Sequence, residues 1–135
     1  RFSVVTTLSR SIATIEANLA RYGLVGRCAR VRAAEVPVLA LEEEGSKACD
    51  RISEEIARAI AEDRAEAIVL GCAGMTDLAR RLERIHGLPV VDGVAAAVVL
   101  SEGLVRLGLA TSKLGGWARP IAKPYAGLFA DRAPV

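Results

Sequence analysis

The feature that most restricts the fold is a short apolar run, Ile68-Val69-Leu70, which stops at Gly71 and Cys72 before a helix-forming segment. A short apolar run bounded by glycine is typical of a strand buried within a sheet. Such strands occur in parallel sheets that helices cover on both faces. The same pattern places a thiol at the carboxyl end of a buried strand, in front of the first turn of a helix.

The rest of the chain alternates strand and helix patterns around this segment. The predicted strands are residues 2–7, 28–34, 65–71 and 89–91, and the predicted helices are residues 11–22, 46–61, 76–86 and 94–107. This alternation predicts an α/β fold, a three-layer α/β/α arrangement around a roughly four-stranded parallel sheet. The second strand alternates Ala and Val with Arg, which indicates an edge position, and the third is expected to be central.

Two regions depart from this alternation. Residues 35–45 contain Pro37 and an acidic run, and they are predicted to form a loop. Residues 1–107 form the predicted α/β lobe, and residues 108–135 form an irregular tail that either packs against another part of the assembly or is mobile. The tail contains Trp117 and Tyr125, whose role the sequence does not define.

Composition narrows the class of protein. With 52% hydrophobic and 25% charged residues the chain is globular, and a net charge of +2 gives no reason to expect nucleic-acid binding. No apolar run reaches the length that spans a membrane. The three cysteines, Cys28, Cys49 and Cys72, form no CxxC pair, which disfavours a disulfide framework or a structural zinc site and predicts a reducing, cytoplasmic location.

Motifs for the common cofactors are missing from the sequence. It contains no GxGxxG, no GxxxxGK[ST] and no GxSxG, so nucleotide binding and a hydrolase nucleophile elbow have no support. We therefore expect no cofactor and no bound metal. Cys28 is predicted to pack in a strand and Cys49 to lie in a helix, and neither is assigned a function.

Ligands of parallel sheets bind at the carboxyl edge of the strands, and right-handed crossovers bring the ends of all strands to this edge. Cys72 is the candidate catalytic residue there, since a helix N-terminus favours thiolate over thiol. Gly71, Ala73 and Gly74 are candidate substrate-binding residues, because glycines permit close approach of a ligand to backbone N–H groups. A buried, inert cysteine explains the local pattern equally well.

Other polar residues at this edge have two interpretations. The hydroxyls of Thr6 and Thr7 are suited to bind a carboxylate or an imide carbonyl, but Thr7 or Ser9 is also suited to cap the following helix. Asp92 is expected to cap the helix after the fourth strand. The one histidine, His86, is expected to interact with the dipole at a helix C-terminus, and not to bind metal or join a catalytic triad.

Several blocks in register resemble the hydantoin racemase family. They include Gly-Cys-Ala-Gly-Met at residues 71–75, and they cover residues 4–10, 32–39, 68–75, 89–94 and 109–113. This family lies within the aspartate/glutamate/hydantoin racemase superfamily and includes allantoin racemase. The resemblance extends over nearly the whole chain.

The resemblance implies a cofactor-independent enzyme with two similar α/β lobes and a substrate cleft between them. Each lobe supplies one cysteine, so that one thiolate removes a proton and the opposite thiol returns one. The resemblance identifies this chain with the second lobe and the C-terminal segment, Cys72 with the second catalytic cysteine, and Thr6 and Thr7 with a substrate-contacting turn. It implies a first lobe before residue 1, without which the chain is expected to be inactive. Separately, the exposed cleft face and the tail suggest association into a homo-oligomer.

Three functions remain open from the sequence. The leading one is racemisation at C5 of a 5-substituted hydantoin or allantoin. The second is a maleate isomerase or decarboxylase-like reaction in which Cys72 is a nucleophile, and the third is non-catalytic binding of small amides or carboxylates. Each involves a small molecule, with no nucleic acid and no membrane.

Overall fold

The structure is a computed structural model that describes residues 1–43 and 46–132. The chain divides into two compact units, Arg1–Leu100 and Ser101–Val135. The first unit contains the sheet and the candidate site. Among the described residues, no helix has the length and apolar composition that crossing a bilayer requires.

Over residues 1–43 and 46–132, four strands and four α-helices alternate. The strands are β1 (Phe2–Thr6), β2 (Cys28–Ala33), β3 (Ala67–Leu70) and β4 (Val90–Asp92). The helices are α1 (Ile12–Arg21), α2 (Ala48–Asp63), α3 (Ala79–His86) and α4 (Gly93–Arg106). Short 3₁₀ helices occupy Ser9–Ser11, Val38–Leu41, Ala73–Leu78, Gly115–Trp117 and Gly127–Arg132.

The strands form one parallel sheet in the order β2-β1-β3-β4. Val5 of β1 pairs with Leu70 of β3, and Leu70 pairs with Asp92 of β4, so the strands end at the same edge. The predicted α/β fold and the edge position of β2 are confirmed. β1 and β3 share the central positions.

The core lies between the sheet and helices α2 and α3. Its fully buried members include Val5 and Ile68 from the sheet, Ile52 and Ile56 from α2, and Leu82 from α3. The isoleucines stand four residues apart, so they lie on one face of α2 and turn toward the strands. Burying this stripe attaches the longest helix of the fold to the sheet, where it contacts β1 and β2.

The segments flanking the strands differ from the sequence expectation. A helix was predicted over residues 76–86, but 3₁₀ geometry occupies Ala73–Leu78 and the α-helix begins at Ala79. Met75, within this 3₁₀ helix, is completely buried in the hydrophobic core. In the predicted loop over residues 35–45, Pro37 directly precedes the 3₁₀ helix Val38–Leu41, and residues 44 and 45 lie outside the described residues.

The second unit contains the end of α4 and the two C-terminal 3₁₀ helices. Its large apolar side chains are exposed, among them Leu114, Trp117, Ile121 and Phe129. Residues 133–135 of the predicted tail lie outside the described part of the chain.

A buried ion pair attaches the edge strand β2 to α2. Arg32 Nε and Nη2 donate to the two carboxylate oxygens of Asp63 over 2.6 and 2.7 Å, and the Asp63 side chain is 3% exposed. Arg32 also donates to Glu55 and Glu62, and the Ser3 hydroxyl donates to Asp63. The hydrogen bond from Arg32 lowers the pKa of Asp63, and the same contact raises the pKa of Arg32.

We expect Asp63→Asn to lower the free energy of unfolding by about 3 kcal/mol at neutral pH, since it breaks a buried pair while Glu55 and Glu62 remain near Arg32. The folded pKa of Asp63 is depressed, so its stabilisation is present above the unfolded pKa of about 3.9 and is lost as pH falls through the folded pKa. Urea unfolding across this range measures the difference. Glu54→Gln, at an exposed position of the same helix, is the control. A deficit in Asp63→Asn that stays constant into acid would contradict this explanation.

Gly71 lies where β1, β3 and α1 come together. A Cβ on this residue would lie 3.0 Å from both Thr6 Cβ and Val4 Cγ1, and 3.3 Å from Ile15 Cδ1. Its N–H donates to Val5 O over 2.8 Å. The missing side chain therefore allows the strand end and the helix to pack closely.

We expect Gly71→Ala to lower the free energy of unfolding by about 1–3 kcal/mol, since an added methyl group would push against backbone-proximal atoms that have little room to move. Gly93→Ala is the matched control, because nothing lies within 4 Å of the Cβ position there. Chemical denaturation of both variants tests this, and an equal effect of the two substitutions would show that close packing at Gly71 is not the cause.

Candidate active site

The carboxyl edge of the sheet brings together the ends of β1, β3 and β4. Thr6, at the end of β1, lies beside Gly71, and the Thr6 hydroxyl donates to Gly71 O over 3.4 Å. Asp92 ends β4 in register with Leu70. The structure thus places Thr6, the residues after β3 and Asp92 along one edge, as the topology predicted.

Cys72 is the residue on which the 3₁₀ helix Ala73–Leu78 begins. Its backbone is extended, with φ −141° and ψ 133°, and its carbonyl accepts the Met75 N–H over 3.1 Å. The side chain is half-buried, so part of its surface packs on the core and part reaches solvent. The thiol is therefore neither enclosed in the core nor fully exposed.

Backbone N–H groups follow the thiol directly. The first N–H groups of a helix have no acceptor within it, and here Ala73 and Gly74 carry them. No side chain caps this helix start. Both residues are exposed, and the 3₁₀ helix continues directly into α3. We call residues 72–74 the Cys72 turn. It combines a half-exposed thiol with hydrogen-bond donors suited to an anionic oxygen.

The glycines flanking Cys72 have a packing explanation. The space beside Gly71 is occupied by β1 and Ile15, and the space beside Gly74 is occupied by Leu41 Cδ1 and Val38 Cγ1, at 3.2 and 3.3 Å from the Cβ position. The sequence had explained these glycines by approach of a ligand, whereas here other parts of the chain make the close approach. Substrate binding by Gly71, Ala73 and Gly74 stays a prediction.

Thr6 and Thr7 are almost completely buried, at 1% and 4% exposure. The Thr6 hydroxyl bonds to Gly71, and the Thr7 carbonyl accepts the Val36 N–H over 2.9 Å. Neither threonine nor Ser9 caps the helices that follow, so the capping interpretation is wrong. The two threonines join the strand ends, and substrate contact by either stays a prediction.

Asp92 caps α4, as predicted. Its Oδ1 accepts the Val94 N–H over 2.8 Å and its Oδ2 accepts the Ala95 N–H over 3.3 Å. The Thr76 hydroxyl lies 3.2 Å from Asp92 Oδ1 and 2.8 Å from Ala73 O, so it links the cap to the Cys72 turn. Thr76 was not among the site residues predicted from the sequence. Its position three residues after Ala73 is the signal, because threonine in a helical turn can donate to a preceding carbonyl.

Glu35 is a second residue without a predicted role, and it is the first residue of the segment predicted as a loop. It adopts φ 51°, in the left-handed region that non-glycine residues rarely occupy. Its Oε1 accepts the Ser9 N–H over 3.0 Å. This contact joins the segment that follows β1 to the segment that follows β2, at the carboxyl edge of the sheet.

The remaining cysteines lie away from the strand ends. Cys28 is the first residue of β2, so it lies at the amino ends of the strands, across the sheet from the carboxyl edge. Burial raises the pKa of its thiol. Cys49 lies in the first turn of α2. Within residues 1–43 and 46–132, no group of His, Cys, Asp and Glu side chains is arranged to hold a metal ion.

His86 is the last residue of α3, at the kind of helix end that the sequence predicted, and its interaction with the helix dipole stays a prediction. Its Nε2 lies 2.8 Å from the Ser53 hydroxyl of α2, and burial lowers the pKa of the ring. The neutral imidazole is therefore favoured, and His86 contributes to the contact between α2 and α3.

The chain is similar in sequence to a racemase family and to proteins named hydantoin racemase. The sequence model of the family described as Asp/Glu/Hydantoin racemase matches residues 1–101. The hydantoin racemase of Rhizobium meliloti is 52% identical over 127 residues, which cover 94% of this chain and 53% of that protein. The hydantoin racemase of Pseudomonas sp. (strain NS671) is 42% identical over 127 residues, which cover 94% of this chain and 51% of that protein.

Solved structures agree with the sequence relatives. The allantoin racemase from Klebsiella pneumoniae superposes with a TM-score of 0.85 at 47% identity, covering 100% of this chain and 55% of that one. The allantoin racemase from Pseudomonas fluorescens superposes with a TM-score of 0.79 at 49% identity, covering 93% of this chain and 54% of that one. The chain thus spans about half the length of these relatives. The resemblance found in the sequence is confirmed, and the chain belongs to the Asp/Glu/hydantoin racemase family.

Proposed function

We propose that this chain supplies one acid/base thiol, that of Cys72, to a cofactor-independent racemase acting at C5 of a 5-substituted hydantoin or of allantoin. The observation that carries the proposal is the position of Cys72: half-exposed, at the carboxyl end of a central strand, on the first turn of a helix. The names of the relatives, hydantoin racemase and allantoin racemase, support the substrate class.

The chemistry of a hydantoin fits such a site. Its C5–H bond lies between a carbonyl carbon and a ring nitrogen, so removal of the proton gives an enolate. Hydrogen-bond donors aimed at the developing oxyanion lower the barrier. The N–H groups of Ala73 and Gly74, next to the thiol, are suited to this task. Cys72 takes the proton from C5 of one enantiomer as thiolate, and returns a proton to the enolate as thiol in the reverse direction.

Inversion at carbon requires a second acid on the opposite face of the ring. Cys28 begins its strand at the opposite edge of the sheet, and Cys49 lies in a helix, so neither follows the carboxyl end of a strand. We place the opposing thiol in a second lobe, and we expect residues 1–135 by themselves not to racemise a hydantoin.

The proposal also includes the cellular location, the oligomeric state and the absence of a cofactor. All three cysteines are free thiols, which suits a reducing, cytoplasmic location. The exposed apolar side chains of the second unit, such as Leu114 and Trp117, suit association into a homo-oligomer. The proposed chemistry uses two thiols and no cofactor.

In the intact enzyme, we expect Cys72→Ser to lower the rate of racemisation by about 10²–10⁴-fold, the usual contribution of a positioned acid or base. Exchange of the C5 proton with D₂O is expected to persist in part from one enantiomer, because the opposing thiol still removes protons from its own face. Polarimetry and proton NMR, corrected for the rate in buffer alone, measure the two processes.

Cys28→Ser is the matched control, since it removes a thiol at the opposite edge of the sheet, and it should racemise at the native rate. Native racemisation by Cys72→Ser would refute the assignment. Mass spectrometry of the enzyme under turnover distinguishes the chemistry further: proton transfer leaves Cys72 unmodified, whereas a substrate adduct on its sulfur would identify a nucleophile.

A further inference from the structure

We infer that the 3₁₀ helix Val38–Leu41 is a positioning element for the Cys72 thiol, with Leu41 and Val38 supporting the Cys72 turn from the segment after β2. The inference rests on the proposed function in one respect, that Cys72 is the reacting group. Neither residue is assigned contact with the substrate. Their contribution is to hold the turn that carries the sulfur.

The support is visible at Gly74. A Cβ on Gly74 would lie 3.2 Å from Leu41 Cδ1 and 3.3 Å from Val38 Cγ1. The same point lies 3.9 Å from Cys72 Sγ. Two apolar side chains and the sulfur therefore surround a single unoccupied position, so the placement of Leu41 and Val38 limits where the turn and its sulfur can lie.

Glycine is required at residue 74 for space and not for conformation. The glycines with left-handed backbone, such as Gly87 and Gly108, do not include Gly74. An alanine here would be sterically acceptable to its own backbone but would press on Leu41 and Val38. The glycine thus permits contact between two segments that are about thirty residues apart in sequence.

The supporting helix is itself held at both ends. Before it, Val36 is buried and its N–H donates to Thr7 O over 2.9 Å. The Ala40 N–H donates to Pro37 O over 3.0 Å, and Leu41 packs against the hydrophobic core. The segment after the edge strand can therefore act as a rigid support for the thiol.

A positioned acid or base loses efficiency when it is misplaced by as little as about 1 Å, and such a displacement can lower the rate of proton transfer by up to about 10²-fold. Loosening the support is thus expected to reduce kcat more than it changes KM. It is also expected to change the reactivity of the Cys72 sulfur toward a small alkylating reagent, which requires no turnover.

The test is a double-mutant cycle in the intact protein with Leu41→Ala, Gly74→Ala and the double variant. Iodoacetamide modification of Cys72, followed by peptide mapping, gives the alkylation rate, and steady-state kinetics gives kcat and KM. Each single substitution should change the alkylation rate on the order of tenfold. The double variant should return to within about threefold of the native rate, because the new methyl group at residue 74 fills space that Leu41 has vacated.

Leu39→Ala is the matched control, since Leu39 belongs to the same 3₁₀ helix and is 75% exposed. Its alkylation rate should stay within about twofold of native, as for other exposed positions. Circular dichroism verifies folding, and Leu41→Val replaces Leu41→Ala in the cycle if the latter does not fold. Additive effects in the double variant, or a Leu39→Ala effect as large as that of Leu41→Ala, would overturn the inference.

The two proposals fail separately. If the alkylation rates show the compensation but the native enzyme racemises no hydantoin, the positioning role stands and the proposed function falls. If Cys72→Ser abolishes racemisation but Leu41 and Gly74 show no coupling, the function stands and the positioning role falls.

Discussion

The close approach of β1, β3 and α1 at Gly71 is the constraint on which the rest of the structure depends. Any side chain there would meet Thr6, Val4 and Ile15 within 3.3 Å. The absence of one lets β3 end beside β1, with the Gly71 N–H bonded to Val5 O and its carbonyl bonded to the Thr6 hydroxyl. Cys72 comes immediately after this closely packed point, so the position of the thiol follows from the packing of the two central strands.

Contacts between loops hold the carboxyl edge of the sheet together as much as the strands do. Glu35 bonds to the segment after β1, Thr76 joins the Cys72 turn to Asp92, and Asp92 caps the helix that follows. On the α2 side of the sheet, the buried Arg32–Asp63 pair attaches the edge strand to that helix. Each loop at the edge is therefore tied to a neighbour, which is the rigidity that placing a proton-transfer group requires.

Much of this was accessible from the sequence because it depends on local pattern. The isoleucines of α2 recur at helical spacing, and Ile52 and Ile56 are in the core as that spacing predicts. The Arg-containing strand lies at the edge, and Asp92 caps the helix that it precedes. Thr7 and Ser9 were misjudged as possible caps: no side chain caps either helix, and the Thr7 carbonyl and the Ser9 N–H bond instead to Val36 and Glu35, which are distant along the chain.

The sequence by itself determined the alternation of strands and helices, the parallel sheet, the family and the cysteine that follows a central strand, since these follow from hydrophobic periodicity and a contiguous motif. Tertiary structure alone decided the 3₁₀ geometry of Val38–Leu41 and of Ala73–Leu78. It also decided the roles of Glu35 and Thr76, and the packing that requires a glycine on each side of Cys72. Those features arise from contacts between segments that are 16 to 65 residues apart in sequence. No local pattern encodes such contacts, because the space that a glycine leaves is defined only by what packs against it.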